Sequence, residues 1–301
     1  MNSNIGYTKH LYILPFDHRN TFAKSMYHVQ ELSLEQQAEV TNFKLLIYKA
    51  FKWALSNGVS KEDAAILVDD ELGMPVLEEA KKDNIIVLYT LEKSGTNALE
   101  MVHDDWRERV LSYKPAFCKM LVRYNPDDPI SEREAKLLVL KSVSEFVHTN
   151  NFKFLLEPLI PATQSQLQLV NGDQDKYDSL VRPDLTVKMI AEMQEKGIEI
   201  DVWKLEGMEQ KQDYEKVIIQ AKSMGRDNVG VVVLGRGAGV EKVNEWLRIG
   251  ASVQGVIGFA VGRTVFWESL EKVRAKTISE EQAVEEIGKN FLSFYNIFTR
   301  K

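Results

Sequence analysis

The feature that most constrains this chain is a rhythm. Eight short apolar runs recur along it: "HLYILPFDHR" from His10, "AAILVDDELG" from Ala64, "NIIVLYTLEKSG" from Asn84, "AFCKMLVRYNPD" from Ala116, "FKFLLEPLIPAT" from Phe152, "DVWKLEGM" from Asp201, "NVGVVVLGRGAG" from Asn228 and "VQGVIGFAVGRT" from Val253. Each is rich in Val, Ile, Leu or aromatics and ends in charged residues, Gly or Pro, as strands buried on both faces of a parallel sheet do. Helical patterns separate them. Ser33-Leu-Glu-Gln36, Ser131-Glu-Arg-Glu134 and Ser279-Glu-Glu-Gln282 read as capping boxes, and Pro183 suits the first turn of a helix ending near Gly197. Eight strand–helix units in 301 residues predict an α/β fold of the (β/α)8 TIM-barrel type, a single domain over 1–301 with an extra C-terminal helix at about 279–298. An open doubly wound sheet is the runner-up. The long segment after the fifth run, "IPATQSQLQLVNGDQDKYDSLVRP", is a candidate lid over the catalytic face.

Composition narrows the function. The net charge is −6 with no long basic run, which argues against nucleic acid as a partner. The lone Cys118 permits no intrachain disulfide. The opening "MNSNIGYTKH" lacks an apolar leader core, and no run reaches the ~18 apolar residues of a membrane span. The expectation is a cytoplasmic protein with no membrane partner, with homo-oligomerisation left open.

In a barrel the chemistry sits at the C-terminal ends of the strands. The unusual residues there are two lysines inside strands. Alternation puts Val202, Lys204 and Glu206 on one face and Trp203 and Leu205 on the other. If Trp203 and Leu205 pack against the outer helices, Lys204 points into the barrel. The same parity groups Phe117, Lys119, Leu121 and Arg123. Burial and a second nearby cation both disfavour a charged ammonium, which is how a lysine becomes a nucleophile towards a carbonyl. Glu157, on the strand between, acts in the opposite sense and is a candidate proton carrier. The bland alternative is a pair of lysines snorkelling outward between helices.

The last two strands close in "LGRGAG" and "GFAVGRT". Barrel enzymes hold phosphate at these two loops through backbone N–H groups and a helix N-terminus. Gly235, Arg236, Gly237, Gly262 and Arg263 are therefore candidate phosphate ligands, joined by the strand-end residues Arg123 and His18. Asp17, Asp69, Asp70 and Glu71 form a rival oxygen-donor set for Mg²⁺, although salt bridging explains them more simply. Zinc spacing is absent and no metal is expected. Met189 and Met193 read as core, Trp246 and Trp267 as packing on outer helices, and His103 and His148 as solvated helix residues.

These residues also carry a resemblance. The segments "LYILPFDHR", "LVDDELG", "EKSG", "KMLVRYNPDD", "EPLIPAT", "RPDL", "DVWKLEG", "VVLGRGA" and "GFAVGRTVF", from about Leu11 to Phe266, resemble class I aldolases of the tagatose-1,6-bisphosphate aldolase type. The closer likeness is to the 2-deoxy-5-keto-gluconate-6-phosphate aldolase domain found alone or fused behind 5-dehydro-2-deoxygluconokinase in inositol catabolism. That resemblance implies a (β/α)8 barrel, a sugar-phosphate substrate and no cofactor beyond a covalent lysine imine. It implies Lys204 as the Schiff-base lysine, with Lys119, Glu157 and Asp17 assisting, and phosphate at Gly235–Gly237 and Gly262–Arg263. A stand-alone protein without the kinase half is the expectation, so tagatose bisphosphate and sulfofructose phosphate stay beside 2-deoxy-5-keto-gluconate 6-phosphate as candidate substrates. Two other function classes stay open: a metal-dependent barrel lyase or isomerase, and a sugar-phosphate-binding regulator without turnover.

Overall fold

The computed structural model describes residues 5–300; the first four residues of the polar opening stretch and Lys301 lie outside them. The eight apolar runs become eight strands: β1 (Leu11–Pro15), β2 (Ala64–Val68), β3 (Ile86–Thr90), β4 (Phe117–Arg123), β5 (Lys153–Leu159), β6 (Val202–Glu206), β7 (Gly230–Leu234) and β8 (Val256–Ala260). All neighbours pair in parallel, and β1 pairs with β8 through Leu11↔Gly258 and Ile13↔Ala260. The ring is closed, which excludes the open sheet. At that seam a Cβ on Gly258 would stand 1.9 Å from the Leu11 carbonyl oxygen, so only glycine lets the last strand reach the first.

The interior face is filled by Leu11, Ile13, Leu67, Leu88, Phe117, Leu155, Val202 and Val232. The other parity belongs to the outer core, including Trp203 and Leu205 against the helices. The parity expected for β6 therefore holds, and Lys204 faces inward. Cys118, one residue before Lys119, faces outward and is fully buried, and burial pushes its thiol pKa up.

The outer helices are α1 (Leu34–Ser56), α2 (Met74–Lys82), α3 (Trp106–Tyr113) and α4 (Ile130–Thr149), then α7 (Arg182–Glu195), α8 (Lys211–Ala221), α9 (Val240–Gly250) and α10 (Arg263–Arg274). The candidate lid is not an open loop. It holds α5 (Gln164–Leu169), the one-turn α6 (Gln174–Lys176) and a π-helical turn over Tyr177–Val181 that runs into α7. Capping boxes form at Ser33/Gln36 and Ser279/Gln282 as expected, and a third forms at Thr163/Gln166. Ser131 does not cap: α4 starts at Ile130, two residues earlier than a Ser131 cap would set it, behind Pro129. The last helix, α11 (Glu280–Thr299), covers the β1/β8 seam from outside. Tyr12 meets Tyr295 edge-on at 4.9 Å and Phe298 at 5.8 Å, while Phe259 meets Phe291 at 5.8 Å. Met189 and Met193 are fully buried, and Trp246 and Trp267 pack as read, the latter donating its indole N–H to Glu271. Among the described residues no helix is long and apolar enough to cross a membrane.

Candidate active site

At the top of the barrel lies a cavity of about 400 Å³, and its floor is charged. Lys204, 2% exposed at mid-β6, donates to Glu157 Oε2 at 2.9 Å. Lys119, 1% exposed on β4, places its Nζ 2.9 Å from Asp17, 2.7 Å from Glu92 Oε1 and 3.1 Å from the same Glu157 Oε2. One carboxylate oxygen thus joins both ammonium groups. The register explains it: Leu121↔Glu157 and Leu155↔Val202 raise the Glu157 side chain to the level of Lys204 while leaving it within reach of Lys119. Thr90 donates to Asp17 Oδ2 at 2.9 Å and fixes that carboxylate on the β1 side.

Burial opposes every charge here, and the partners decide the outcome. For Lys119, burial favours the neutral amine, but Asp17, Glu92 and Glu157 overcome it and hold its pKa above the ordinary lysine value. This sharpens the sequence reading: the second lysine is a firmly held cation ringed by three acids. For Asp17 and Glu157, burial is likewise overcome, by the two lysines, and both carboxyls are held below their usual range. Glu92 goes the other way: burial outweighs Lys119 and raises its pKa. Its second oxygen is buried with no partner. Glu92 was visible only as part of a charged strand end, in "LEKSG"; its inward parity with Leu88 and Thr90 was the signal available in the sequence.

His18 lines the cavity with Nδ1 buried and unpartnered, and its ring stands edge-on to Phe266 at 5.9 Å. Burial lowers its pKa to about 4, with Asp17 opposing and Arg263, Lys204 and Lys44 adding to the shift. It is a neutral imidazole at pH 7, able to donate or accept a hydrogen bond.

The phosphate candidates divide. Gly262 caps α10, and Arg263 opens that helix beside the cavity, donating to the Arg236 carbonyl at 3.0 Å. Gly237, at φ 74°, comes so close that a Cβ would stand 2.4 Å from the Arg263 guanidinium. Arg236 lines the cavity too, but it is already held by Glu206 at 2.9 Å and by Asp178 of the lid segment. Gly235 is not part of the lining; it rests against Val261. Arg123 lines the cavity at the end of β4.

The acidic cluster does not converge. Asp69 pairs with the buried Lys44 of α1, and Glu71 pairs with Arg19 at 2.6 Å. Asp70 accepts from Arg109 at 2.9 Å, His103 at 3.0 Å and Tyr89 at 2.8 Å, while Asp17 belongs to Lys119. Each acid has its own cation, the salt-bridge reading of that cluster. His103 and His148 are corrected by the same observation. His103 precedes α3 and points at Asp70. His148 packs on α4 with Nε2 2.8 Å from the buried Asp201. Both are tied to acids rather than solvated, since tertiary partners override a polar helix-face pattern.

Comparison with known proteins agrees with this architecture. Two curated relatives, both tagatose 1,6-diphosphate aldolases, from Listeria monocytogenes serotype 4a and Listeria innocua serovar 6a, are each 25% identical over 199 residues, covering 64% of this chain and 54% of theirs. The chain thus spans about half the length of the curated relatives it matches. Among solved structures, a structural-genomics protein of Corynebacterium glutamicum superposes with a TM-score of 0.59 at 17% identity, covering 97% of this chain and 88% of that one. An archaeal fructose-1,6-bisphosphate aldolase, solved with its catalytic lysine covalently bound to the carbinolamine intermediate, gives 0.55 at 11% identity, covering 98% and 96%. These structural likenesses establish the fold. A family model matches residues 3–301, and the chain belongs to that family, described as an uncharacterized protein conserved in bacteria (DUF2090).

Proposed function

We propose that the protein is a class I aldolase that cleaves a phosphorylated keto-sugar, 2-deoxy-5-keto-gluconate 6-phosphate or a relative of it, to dihydroxyacetone phosphate and an aldehyde. The observation that carries this reading is the pair of buried lysines sharing one Glu157 oxygen beneath a cavity whose rim presents Arg263. The tagatose 1,6-diphosphate aldolase name of the Listeria relatives supports it.

Lys204 gives its proton to Glu157 and attacks the ketone carbon. Water leaves the resulting carbinolamine, with Glu157 returning the proton to the departing oxygen. The iminium is the electron sink. A base takes the proton from the hydroxyl two carbons away, the intervening carbon–carbon bond breaks, and its electron pair enters the iminium to form an enamine. Glu157 is the first choice for that base and Asp17 the second. Protonation of the enamine carbon and hydrolysis release dihydroxyacetone phosphate and restore Lys204. Lys119, fixed by its three carboxylates, supplies a positive field for the developing alkoxide. Phosphate binds at Gly262 and Arg263, where the N-terminus of α10 and a guanidinium converge. The lysine imine does the work a metal would do in another aldolase class, so no cofactor is required.

The test is reduction with borohydride in the presence of dihydroxyacetone phosphate, read by intact mass and peptide mapping. A stable adduct on Lys204 is expected. An adduct on Lys119 instead would reverse the two lysines. No adduct, with dihydroxyacetone phosphate shown to bind, would remove the imine mechanism. Ligand binding that raises the melting temperature without product would then mark a regulator.

A further inference from the structure

The reading above accounts for one end of the substrate. The other end is addressed by the cations that line the cavity. Five are matched to carboxylates: Arg19 to Glu71, Lys93 to Glu100, Lys119 and Lys204 to the floor acids, and Arg236 to Glu206 and Asp178. Among the described residues, the guanidinium groups of Arg123 and Arg263 make no salt bridge to a carboxylate, Arg263 feeling Glu157 only at longer range, and Lys24 is a solvent-exposed rim residue on the turn after β1. An arginine left without an anion at the wall of a cavity is an unsatisfied donor set.

The ring gives these two arginines a geometry. Arg123 ends β4, and Arg263 follows β8. In a closed ring of eight these strands stand opposite one another, with β6 midway and β5 between β4 and β6. Lys204 is on β6 and Glu157 on β5. Arg123 shares the inward face of β4 with Lys119, and its backbone carbonyl accepts from Lys136 at 2.8 Å.

We infer that Arg123 is a second anion subsite, one that recognises a negatively charged group on the far end of the substrate, across the cavity from the phosphate at Arg263. The description of that far end as the aldehyde half rests on the aldolase reading; the anion does not. With the ketone at Lys204, the phosphate points towards β8, and the chain beyond the ketone passes Glu157 towards β4. The bond that breaks lies beside Glu157, and the aldehyde departs with its charge on Arg123. The ligand chemistry is an oxyanion, phosphate or carboxylate, which the planar guanidinium grips through paired N–H donors.

Calorimetric binding to full-length Lys204→Met protein tests this without turnover. The probes are tagatose 1-phosphate and tagatose 1,6-bisphosphate, which differ only in the far-end anion. The bisphosphate is expected to bind at least about tenfold tighter. Arg123→Ala in the same background should bring the two within about threefold, and Arg123→Lys should keep an intermediate ratio. Equal affinities in the Lys204→Met protein would overturn the subsite, as would an Arg123→Ala effect that weakens both ligands alike. If 2-deoxy-5-keto-gluconate 6-phosphate outcompetes the bisphosphate, and Arg123→Ala abolishes its advantage, the oxyanion is a carboxylate; the opposite order makes it a phosphate. The borohydride adduct on the wild-type protein is scored separately. An adduct without the affinity ratio sinks the subsite alone, and the ratio without an adduct sinks the aldolase reading alone.

Discussion

Lys44 and Lys204 are both enclosed, at 0% and 2% exposure, and both meet a carboxylate, yet their surroundings differ. Lys44, on α1, points at the equally enclosed Asp69 at the end of β2 and is not among the residues that line the cavity above Lys204. Burial lowers its pKa against the opposing pull of Asp69 and, behind it, Asp17. Lys204 shares its carboxylate with a second cation and opens onto about 400 Å³ of space. A buried lysine is therefore not in itself a chemical signal. One pair joins helix to barrel; the other shares its carboxylate oxygen with a second cation and borders a cavity.

The comparison can be broken in several ways. Lys204→Ala is expected to lower turnover by on the order of 10⁴-fold or more and to remove the borohydride adduct, leaving the fold intact by circular dichroism. Retained turnover would place the chemistry elsewhere. Glu157→Gln keeps the shape of the shared acceptor and removes its proton traffic, so a loss of about 10²–10⁴-fold in kcat is expected. A change in KM alone would demote Glu157 to substrate binding. Lys44→Met leaves Asp69 buried without its cation and should cost about 3–5 kcal/mol in denaturant unfolding, with turnover of the folded protein within about tenfold. If Lys44→Met instead abolished turnover without loss of stability, the contrast between the two lysines would collapse.

A smaller effect sharpens the picture around His18. Its folded pKa of about 4 lies below the ordinary value of 6.5, so the unfolded chain binds more protons between those limits. The stability it contributes is present above about pH 6.5 and is lost as pH falls towards 4. The difference in unfolding free energy between wild type and His18→Gln should therefore grow from pH 4 to pH 6.5 and then level off. A flat difference across that range would show that His18 titrates normally in the folded state.

The barrel was legible because it is written locally. Each strand is a mostly apolar run, and once Trp203 and Leu205 pack against the helices the alternation aims Lys204 inward. The floor charges were legible in part, since Asp17, Glu157 and Lys119 sit on or just past runs whose parity can be counted. What escaped were pairings between distant elements. Nothing in "TNFKLLIYKAF" marks Lys44 as the partner of Asp69, 25 positions on. Arg236, read as a phosphate candidate from the Gly-rich end of β7, pairs with Asp178, 58 positions earlier, and neither segment announces that contact. Glu92 stood in the sequence as one polar residue of a strand end, and the closing of the ring turns it onto Lys119. His103 and His148 failed for the same reason. Ion pairs of this kind depend on which elements become neighbours, and that is a property of the completed ring rather than of any segment.

Cys118 gives the experimenter a clock. The chain's one thiol sits on the outward face of the strand whose inward face carries Lys119, and its sulfur is sealed and held in the unreactive protonated form. An alkylating reagent reaches it only when β4 leaves the ring or the helices lift away. The rate at which native protein gains a single alkyl mass therefore times the opening of the wall that holds the second lysine, with no label to install. Slower alkylation in the presence of dihydroxyacetone phosphate would show occupancy of the cavity being felt on the far side of that same strand.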